Sequence, residues 1–386
     1  MTLRVVAALD SFKGSVDSWQ AGQAVRRGVL SVAPAATVRV VPVADGGEGT
    51  VDAIGASRPS AFVRVSTVDA LGRPVSAEYL TLPDGTAVVE AARTVGLAKL
   101  EVVDSSVPPS ASSTGLGDHL AHALSHASGR LLVGLGGTAC VDGGMGMLRA
   151  LGADILSHTA NPLWSFSALD ETTLPDLSRV VVLCDVTNPL TGPNGAARVF
   201  GPQKGATPAQ VEHLEERMGW WADALARTGR AVASSPGAGA GGGIGAALLA
   251  CGATLVSGFD EVARVTGLER AMNGADLVIT GEGSLDAQTS MGKAPAGVAR
   301  MARAASALVV GIGGRVDRPA PDCFDAVFPI HGQLRSLAEG LDPAVTVTEL
   351  NATTAEVVRL LLAARRRESP RRDGDGAPGG GHFSPA

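Results

Sequence analysis

The run from residue 276 to 299, DLVITGEGSLDAQTSMGKAPAGVA, constrains the chain more than any other. Leu277, Val278 and Ile279 are apolar and largely β-branched, and such a short run bounded by turn signals reads as a buried strand. Gly281, Glu282 and Gly283 break it. A polar loop follows, then Gly292 and Lys293, and Pro295 opens a small-residue segment suited to a helix, because a first-turn N–H has no intrahelical partner to lose. The order strand, glycine turn, carboxylates, lysine, helix belongs to an open α/β sheet. There, ligands bind at the carboxyl ends of strands and helix N-termini attract anions. Glu282, Asp286 and Lys293 stand at one such end. A Walker loop would need glycine at position 287 and Ser or Thr at 294; both are alanine, so the loop is of another kind. A loop that only connects strand to helix would share this outline.

Composition agrees with an α/β chain. Of 386 residues 45% are hydrophobic and 18% charged, enough for a large core, and the length suggests two or three domains. Fifty glycines against 3% aromatic residues favour tight turns and small-residue packing. A net charge of −6 argues against a nucleic-acid partner, which would select a basic surface. Cys140, Cys184, Cys251 and Cys323 form no C-x-x-C pair and have apolar or small neighbours, so they read as free thiols in a reducing cytoplasm. The apolar start is cut short by Asp10 and lacks a signal-peptide core. The uncharged stretch 231–259 reads as a glycine loop and a buried helix, not as a membrane span.

Taken in order, residues 4–10 read as a strand ending in Asp10, and 16–29 as a helix with Trp19, Ala24 and Val25 on its core face. Residues 38–44 are a second strand, with Pro42 marking an edge or a kink, and a helix starts near Thr50. Residues 62–90 change character: β-branched alternation with two turn signals reads as an antiparallel meander, so another domain begins here. The next helix carries His119, His122 and His126 on one face; with no carboxylate nearby to orient them, this reads as a solvated face, not a metal site. Residues 131–146 are a strand and a glycine turn that allows close backbone approach to an anion. Residues 180–189 are a strand ending in Asp185. Thr207 and Pro208 start a helix with Leu214, Met218 and Trp221 inside. Gly237, Gly239 and Gly242 fit the G-x-G-x-x-G of an NAD-dependent oxidoreductase, though no clear strand precedes them. Strands follow at 308–312, ending in Gly313 and Gly314, and at 326–330. A helix lies within 345–366, and the Arg-, Pro- and Gly-rich remainder reads as a disordered tail.

One pattern ties these elements together. Strands end in Asp10, Asp45, Asp185 and Glu282, and Lys13, Lys204 and Lys293 occupy similar loops. Carboxylates can hold Mg²⁺ or take a proton, and lysines and backbone N–H groups can neutralise phosphate. The set suits phosphoryl transfer, which is mostly positioning and charge stabilisation. Lys293, with Lys13 second, is expected to neutralise the transferring phosphate. Asp185, rigidly held after the most apolar strand, is the expected general base, with Asn188 near enough to orient substrate and Asp45 the rival base. Glu282 and Asp286 are the expected Mg²⁺ ligands.

Six ordered segments resemble the bacterial type-one glycerate kinase family: DSFKGS from Asp10, PVADGGEGT from Pro42, GLGGTACVDGGMGML from Gly134, CDVTNPLTGPNGAARVFGPQKGATP from Cys184, PGAGAGGGIGAALL from Pro236, and the run from Asp276. The resemblance implies ATP- and Mg²⁺-dependent phosphorylation of D-glycerate, with 2-phosphoglycerate favoured over 3-phosphoglycerate as product. It implies two α/β domains with the active site between them, one flavodoxin-like and discontinuous, the other an inserted mixed α/β domain. With the composition shift near Phe62, the expected boundaries are 1–61 with 256–366, and 62–255. On the matched segments it places substrate and nucleotide contacts at Asp10, Ser11, Gly46, Gly47, Glu48, Gly136, Gly137, Thr138, Asp142, Asn188, Gln203, Lys204, Gly241 and Gly242. Val141 departs from the family, which usually has Asn there. An NAD-dependent oxidoreductase and a noncatalytic small-acid sensor remain the other classes; cofactor binding and turnover separate them.

The tail, residues 367–386, has little apolar surface to bury apart from Phe383. A chain ending at Arg367 is expected to keep its melting temperature and turnover, and a clear loss of either would show that the tail docks.

Overall fold

The structure is a computed structural model and describes residues 2–286, 289 and 293–368. In chain order its first elements are β1 (Arg4–Leu9), α1 (Ser18–Val32), β2 (Thr37–Val40), α2 (Thr50–Ser57), β3 (Ala61–Val68), β4 (Pro74–Thr81), β5 (Ala87–Glu90) and α3 (Ala92–Val95). There follow α4 (Thr114–His126), β6 (Leu131–Gly134), α5 (Met145–Ala150), β7 (Ile155–Leu156), β8 (Ala168–Leu169), β9 (Val180–Leu183), α6 (Ala196–Phe200), α7 (Pro208–Ala226) and α8 (Ala240–Ala250). The last are β10 (Thr254–Val256), α9 (Gly258–Thr266), α10 (Leu268–Met272), α11 (Ala294–Ala304), with β11 (Leu277–Leu285) before it, then β12 (Leu308–Val316), β13 (Ala326–Pro329), α12 (Leu337–Gly340) and α13 (Pro343–Glu368). The expected tail beyond this helix lies outside the described residues.

The first sheet runs β2-β1-β11-β12-β13, and every pairing in it is parallel. Counted within the sheet this is the order 2-1-3-4-5 of a flavodoxin-like fold, whose crevice opens between its first and third strands. Parallel sheets are covered on both faces, which is why β1, β11 and β12 read as continuous apolar runs. One face packs Val5, Ala7 and Leu9 against Val25 of α1 and Leu350 and Val358 of α13. The other packs Val6 and Ala8 against Phe259 of α9 and Val298 of α11. Trp19 lies outside this core and is exposed: Ala21, Ala24, Val25 and Val29 form the inward stripe, and Trp19 falls off it.

The glycines of β11 and β12 do not end their strands, contrary to the reading from sequence. The ladder continues through Gly281 and Gly313 to pair Ser284 with Arg315 and Leu285 with Val316. A Cβ on Gly281 would lie 1.8 Å from the Ile312 carbonyl oxygen, so glycine here lets the two strands close up. Glu282 therefore projects from a strand, not from a loop.

The second sheet runs β10-β9-β6-β5-β4-β3. Its members β5, β6, β9 and β10 are parallel, and the meander β3–β4–β5 is antiparallel, as its alternation and turns require. β7 and β8 form a separate two-stranded ribbon. One face of the second sheet carries the largest core, in which α4, α5, α7 and α8 contribute Leu120, Met147, Trp221 and Ile244. The other face packs Val88, Leu132 and Leu183 against Val51 and Ile54 of α2 and Val262 of α9. Thus α9 lies between the sheets, with Phe259 toward one and Val262 toward the other. The helix α7 starts at a capping box of Thr207 and Gln210 with Pro208 in its first turn, and Trp221 Nε1 donates to the Gly143 carbonyl at 2.9 Å.

The histidine face of α4 is not solvated as a whole. His119 is fully buried edge-on against Tyr79, with 5.6 Å between ring centroids, and burial holds its pKa down to about 4, so it stays neutral. His122 meets the Tyr79 hydroxyl at 3.2 Å and stacks on His126 at 4.1 Å between centroids.

The sheets meet through backbone. A Cβ on Gly136 would fall 2.5 Å from Gly47 Cα, and one on Gly134 would fall 2.4 Å from the Gly46 carbonyl oxygen. Gly136→Ala should therefore force the loops apart. Overpacking of this kind costs roughly 1–3 kcal/mol, so urea unfolding of the variant should show a loss in that range. An unchanged midpoint would mean the loops yield freely.

Candidate active site

The carboxyl ends of the central strands of both sheets face one cleft. Two adjoining cavities occupy it, of about 530 and 240 Å³, and Lys13, Glu48 and Gly137 line both. The smaller cavity gathers most of the residues expected from sequence: Asp45, Gly46 and Gly47 after β2, Gly136 and Thr138 after β6, Asp185 after β9, Gln203 and Lys204 before α7, and Gly241 in α8. Ser11 joins Lys13 in the larger cavity. Asp10 is only 7% exposed and lines neither, yet it shares its field with Asp45, Glu282 and Lys13.

Three carboxylates in or near this cleft are anchored by backbone N–H groups. Asp185 accepts from Gly258 N at 2.9 Å through one oxygen and from Phe259 N at 3.0 Å through the other, at the start of α9. Burial raises its pKa, against the pull of these N–H groups. Glu90, at the end of β5, accepts from Gly49 N at 3.1 Å and Val51 N at 3.2 Å at the start of α2, and burial raises its pKa despite nearby Arg93. Asp142 is fully buried and accepts from Ser113 N at 2.6 Å, Ser113 Oγ at 2.7 Å, Gly144 N at 3.0 Å and Gly146 N at 3.2 Å. It fixes the glycine turn before α5 and does not line either cavity.

Asp45 and Asp10 differ from these. Asp45 Oδ1 accepts from Gly47 N at 2.9 Å, and its other oxygen accepts no hydrogen bond from the described residues. Asp10 Oδ1 accepts from Ser11 N at 2.6 Å. Burial, then the charges of Asp45 and Glu282, push the Asp10 carboxyl up to about 8. Ser11 N–H and Lys13 only partly offset this.

The lysines also differ. Lys204 is 3% exposed, and its Nζ donates to the Cys140 carbonyl at 2.7 Å and to Thr138 Oγ1 at 3.1 Å. Burial lowers its pKa, opposed by Cys140 and Asp142. An ammonium has three N–H donors, so one remains for an anion in the cavity. Lys293 Nζ stands 3.8 Å from Glu282 Oε2, and Thr289 Oγ1 donates to Glu282 Oε1 at 3.1 Å. Burial raises Glu282 even so. Asp286 N donates to Thr289 Oγ1 at 3.1 Å, which ties Asp286 to Glu282 through one threonine.

Among the described residues no three His, Cys, Asp or Glu side chains come close enough to hold a metal unaided. Mg²⁺ does not require that: it commonly takes one or two carboxylates, several waters and substrate phosphate oxygens. Burial chiefly raises Asp10, but Asp45 and Glu282 add to it as like charges, and three carboxyl groups sharing one field suit such a cation.

Some expected residues stay apart. Asn188 donates Nδ2 to the Asn194 carbonyl at 2.9 Å and lines neither cavity. Gly242 packs on the Cys140 carbonyl. The G-x-G-x-x-G run lacks the strand a dinucleotide fold needs, since β9 ends at Leu183 and non-helical dihedrals run through Gly241, Gly242 and Gly243. Glu90, Arg93 and Lys99 line the larger cavity and were missed from sequence. Glu90 had a visible signal: it ends the strand Ala87–Glu90, otherwise wholly apolar, as Asp185 follows Val180–Leu183.

The sign of the Asp10 shift gives a stability test. A carboxyl raised from 3.8 to about 8 on folding binds more proton folded than unfolded across that window, so the stability that Asp10 contributes is lost as pH rises from about 4 to about 8. Asp10→Asn keeps the oxygen that Ser11 needs and removes the charge. The melting temperature of the variant minus that of the wild type should climb across the window; a flat difference would mean Asp10 ionises normally.

The sequence pattern of the glycerate kinase family matches residues 5–362. The chain is 38% identical to "Glycerate kinase" of Bacillus subtilis over 91% of its own length and 96% of that protein's. It is 37% identical to "Glycerate 2-kinase" of Escherichia coli, over 87% and 93%. A solved structure, a candidate glycerate kinase 2 from Salmonella typhimurium LT2, superposes with a TM-score of 0.82 at 36% identity, covering 95% of this chain and all of that one.

Proposed function

The chain belongs to the glycerate kinase family, and from that premise we propose that it transfers the terminal phosphoryl group of ATP to the 2-hydroxyl of D-glycerate. One observation carries the reading best: Lys13, Asp45 and the buried Lys204 line a single 240 Å³ cavity, the size for a three-carbon acid. The two sheets are read as two domains, 1–61 with 256–366 and 62–255, with the cleft between them.

In this reading the glycerate carboxylate takes the spare N–H of Lys204 and the hydroxyl of Thr138. Asp45, with one oxygen that accepts no hydrogen bond from the described residues, takes the proton of the 2-hydroxyl. The oxygen attacks the γ-phosphorus, the bond from that phosphorus to the β–γ bridging oxygen breaks, and ADP leaves. Asp185 is the second candidate for the base, but it would have to act while both its oxygens hold the start of α9. Lys13 and Lys293 neutralise the transferring phosphoryl group. Glu282 and Asp286 would hold Mg²⁺, which when bound would draw charge off the phosphates. The four cysteines are all free thiols, which suits the reducing cytoplasm. Among the described residues no helix is long and apolar enough to cross a membrane.

The test measures ADP release with ATP, Mg²⁺ and D-glycerate, with phosphorus NMR to locate the product phosphate. Product at the 2-position supports the reading; no glycerate-dependent ADP at any pH or metal concentration sinks it. Asp45→Asn should lower kcat 10²-fold or more, by the scale of lost general-base catalysis, with ATP affinity kept. Asp185→Asn should chiefly lower the melting temperature, through loss of a charged helix anchor. The opposite pattern would move the base to Asp185. Lys204→Met should raise KM for glycerate far more than KM for ATP.

A further inference from the structure

The carboxyl end of the flavodoxin-like sheet holds a third cavity, of about 420 Å³. It shares Phe12, Lys13 and Ser15 with the 530 Å³ cavity, and Lys13 lines all three. Its walls include Phe12, Ile330, Leu334, Leu337 and Leu341. Leu334 is fully exposed and Leu337 is 79% exposed, so two neighbouring leucines stand in water at its rim. Two polar atoms among the lining residues, His331 Nδ1 and Arg335 Nε, are buried without a partner among the described residues. The guanidinium is held elsewhere, by Glu349 at 2.6 Å. Buried polar groups are normally paired, so two orphans in an apolar wall mark groups that await a ligand. A small-molecule site has this make-up: an apolar wall with a few polar groups that fix orientation.

We propose that this cavity seats the adenine ring of the nucleotide, with the phosphate chain passing over the Lys13 loop toward Asp45. This rests on the kinase reading above. The purine faces would cover Leu334 and Leu337, and its nitrogen edge would meet His331 and Arg335. The 530 Å³ cavity is the poorer seat for a base. Asp17, Glu48, Asp52, Glu90, Arg93 and Lys99 line it, and a purine there would dehydrate charges while covering little apolar surface. It is the better seat for phosphates or for water. The position also fits the sheet, whose ligands bind beyond the carboxyl ends of its strands, here at Gly283, Gly314 and Pro329.

Calorimetry on the full chain tests this with two probes, ADP and tripolyphosphate, which lacks the base. The double variant Leu334→Ser/Leu337→Ser should weaken ADP about tenfold or more, because it removes the apolar surface the purine would cover. It should leave tripolyphosphate affinity and melting temperature unchanged, since both side chains are exposed and the change is uncharged. His331→Ala, a single change at the wall, should weaken ADP several-fold and narrow the preference for ADP over GDP. Unchanged ADP affinity in both variants would overturn the assignment. So would equal weakening of ADP and tripolyphosphate, or a wild type that binds the two alike. The kinase reading fails by a different result: ADP binds, yet glycerate triggers no turnover.

Discussion

The structure depends on two loops touching backbone to backbone. Gly46 and Gly47, after β2, lie against Gly134 and Gly136, at the end of β6, at distances that leave no room for a side chain. Gly258 repeats the arrangement, since a Cβ there would lie 2.1 Å from the Asp45 carbonyl oxygen. Three glycine contacts around one aspartate hold it between two sheets. Positioning on this scale is what phosphoryl transfer asks of a protein, because the transition state needs little covalent help. Without the close approach, the carboxyl ends of the two sheets would still face each other, but Asp45 and Lys204 would not share a cavity.

The buried carboxylates sort by what they hold. Glu90 and Asp185 end strands of the second sheet, and each accepts two N–H groups at the start of a helix that lies outside that sheet's span of the chain. They act as charged N-terminal anchors, favoured by the helix dipole, and tie α2 and α9 to the sheet they cover. Asp142 does the same for a glycine turn. Asp10 and Asp45 each accept one adjacent backbone N–H. A carboxylate whose oxygens are taken up by several fixed donors is committed to the backbone it anchors; one with a single donor keeps acceptor capacity for a ligand. In the proposed mechanism this separates scaffold from chemistry among residues that look alike in sequence.

Strands, helices and the meander were legible because burial on one or two faces leaves a periodic trace. The capped start of α7 and its inner face of Leu214, Met218 and Trp221 show this, as does the β-branched run of β11. The glycines were misread where they serve packing between strands: Gly281 and Gly313 carry the same signal as a turn glycine, and only the neighbour's carbonyl tells them apart. The histidines failed for a related reason. His119 and His126 share a helix face but not a depth, and depth depends on Tyr79 from a distant strand. The sequence marked most of the cleft residues because strand ends are local features. It missed Arg93 and Lys99, which reach the cleft from α3 and from the short 3-10 turn after it.

Depth also divides the lysines that sequence placed in similar loops. Lys204 is sealed under Thr138 and Cys140 with its ammonium pinned by two acceptors, so it can present charge at one point only. A fixed, partly dehydrated cation discriminates well between carboxylic acids of different reach, because the anion must come to it. Lys13 is exposed, on a loop that all three cavities share. A flexible, hydrated ammonium cannot select, but it can follow a group that moves. The phosphoryl group is the one part of the reaction that changes owner, and in the proposed arrangement Lys13 stands between the nucleotide's cavity and the acceptor's. Lys293 lines none of the three cavities and is held 3.8 Å from the Glu282 carboxylate. In the proposed reaction recognition and transfer thus fall to different lysines, and burial is what separates them.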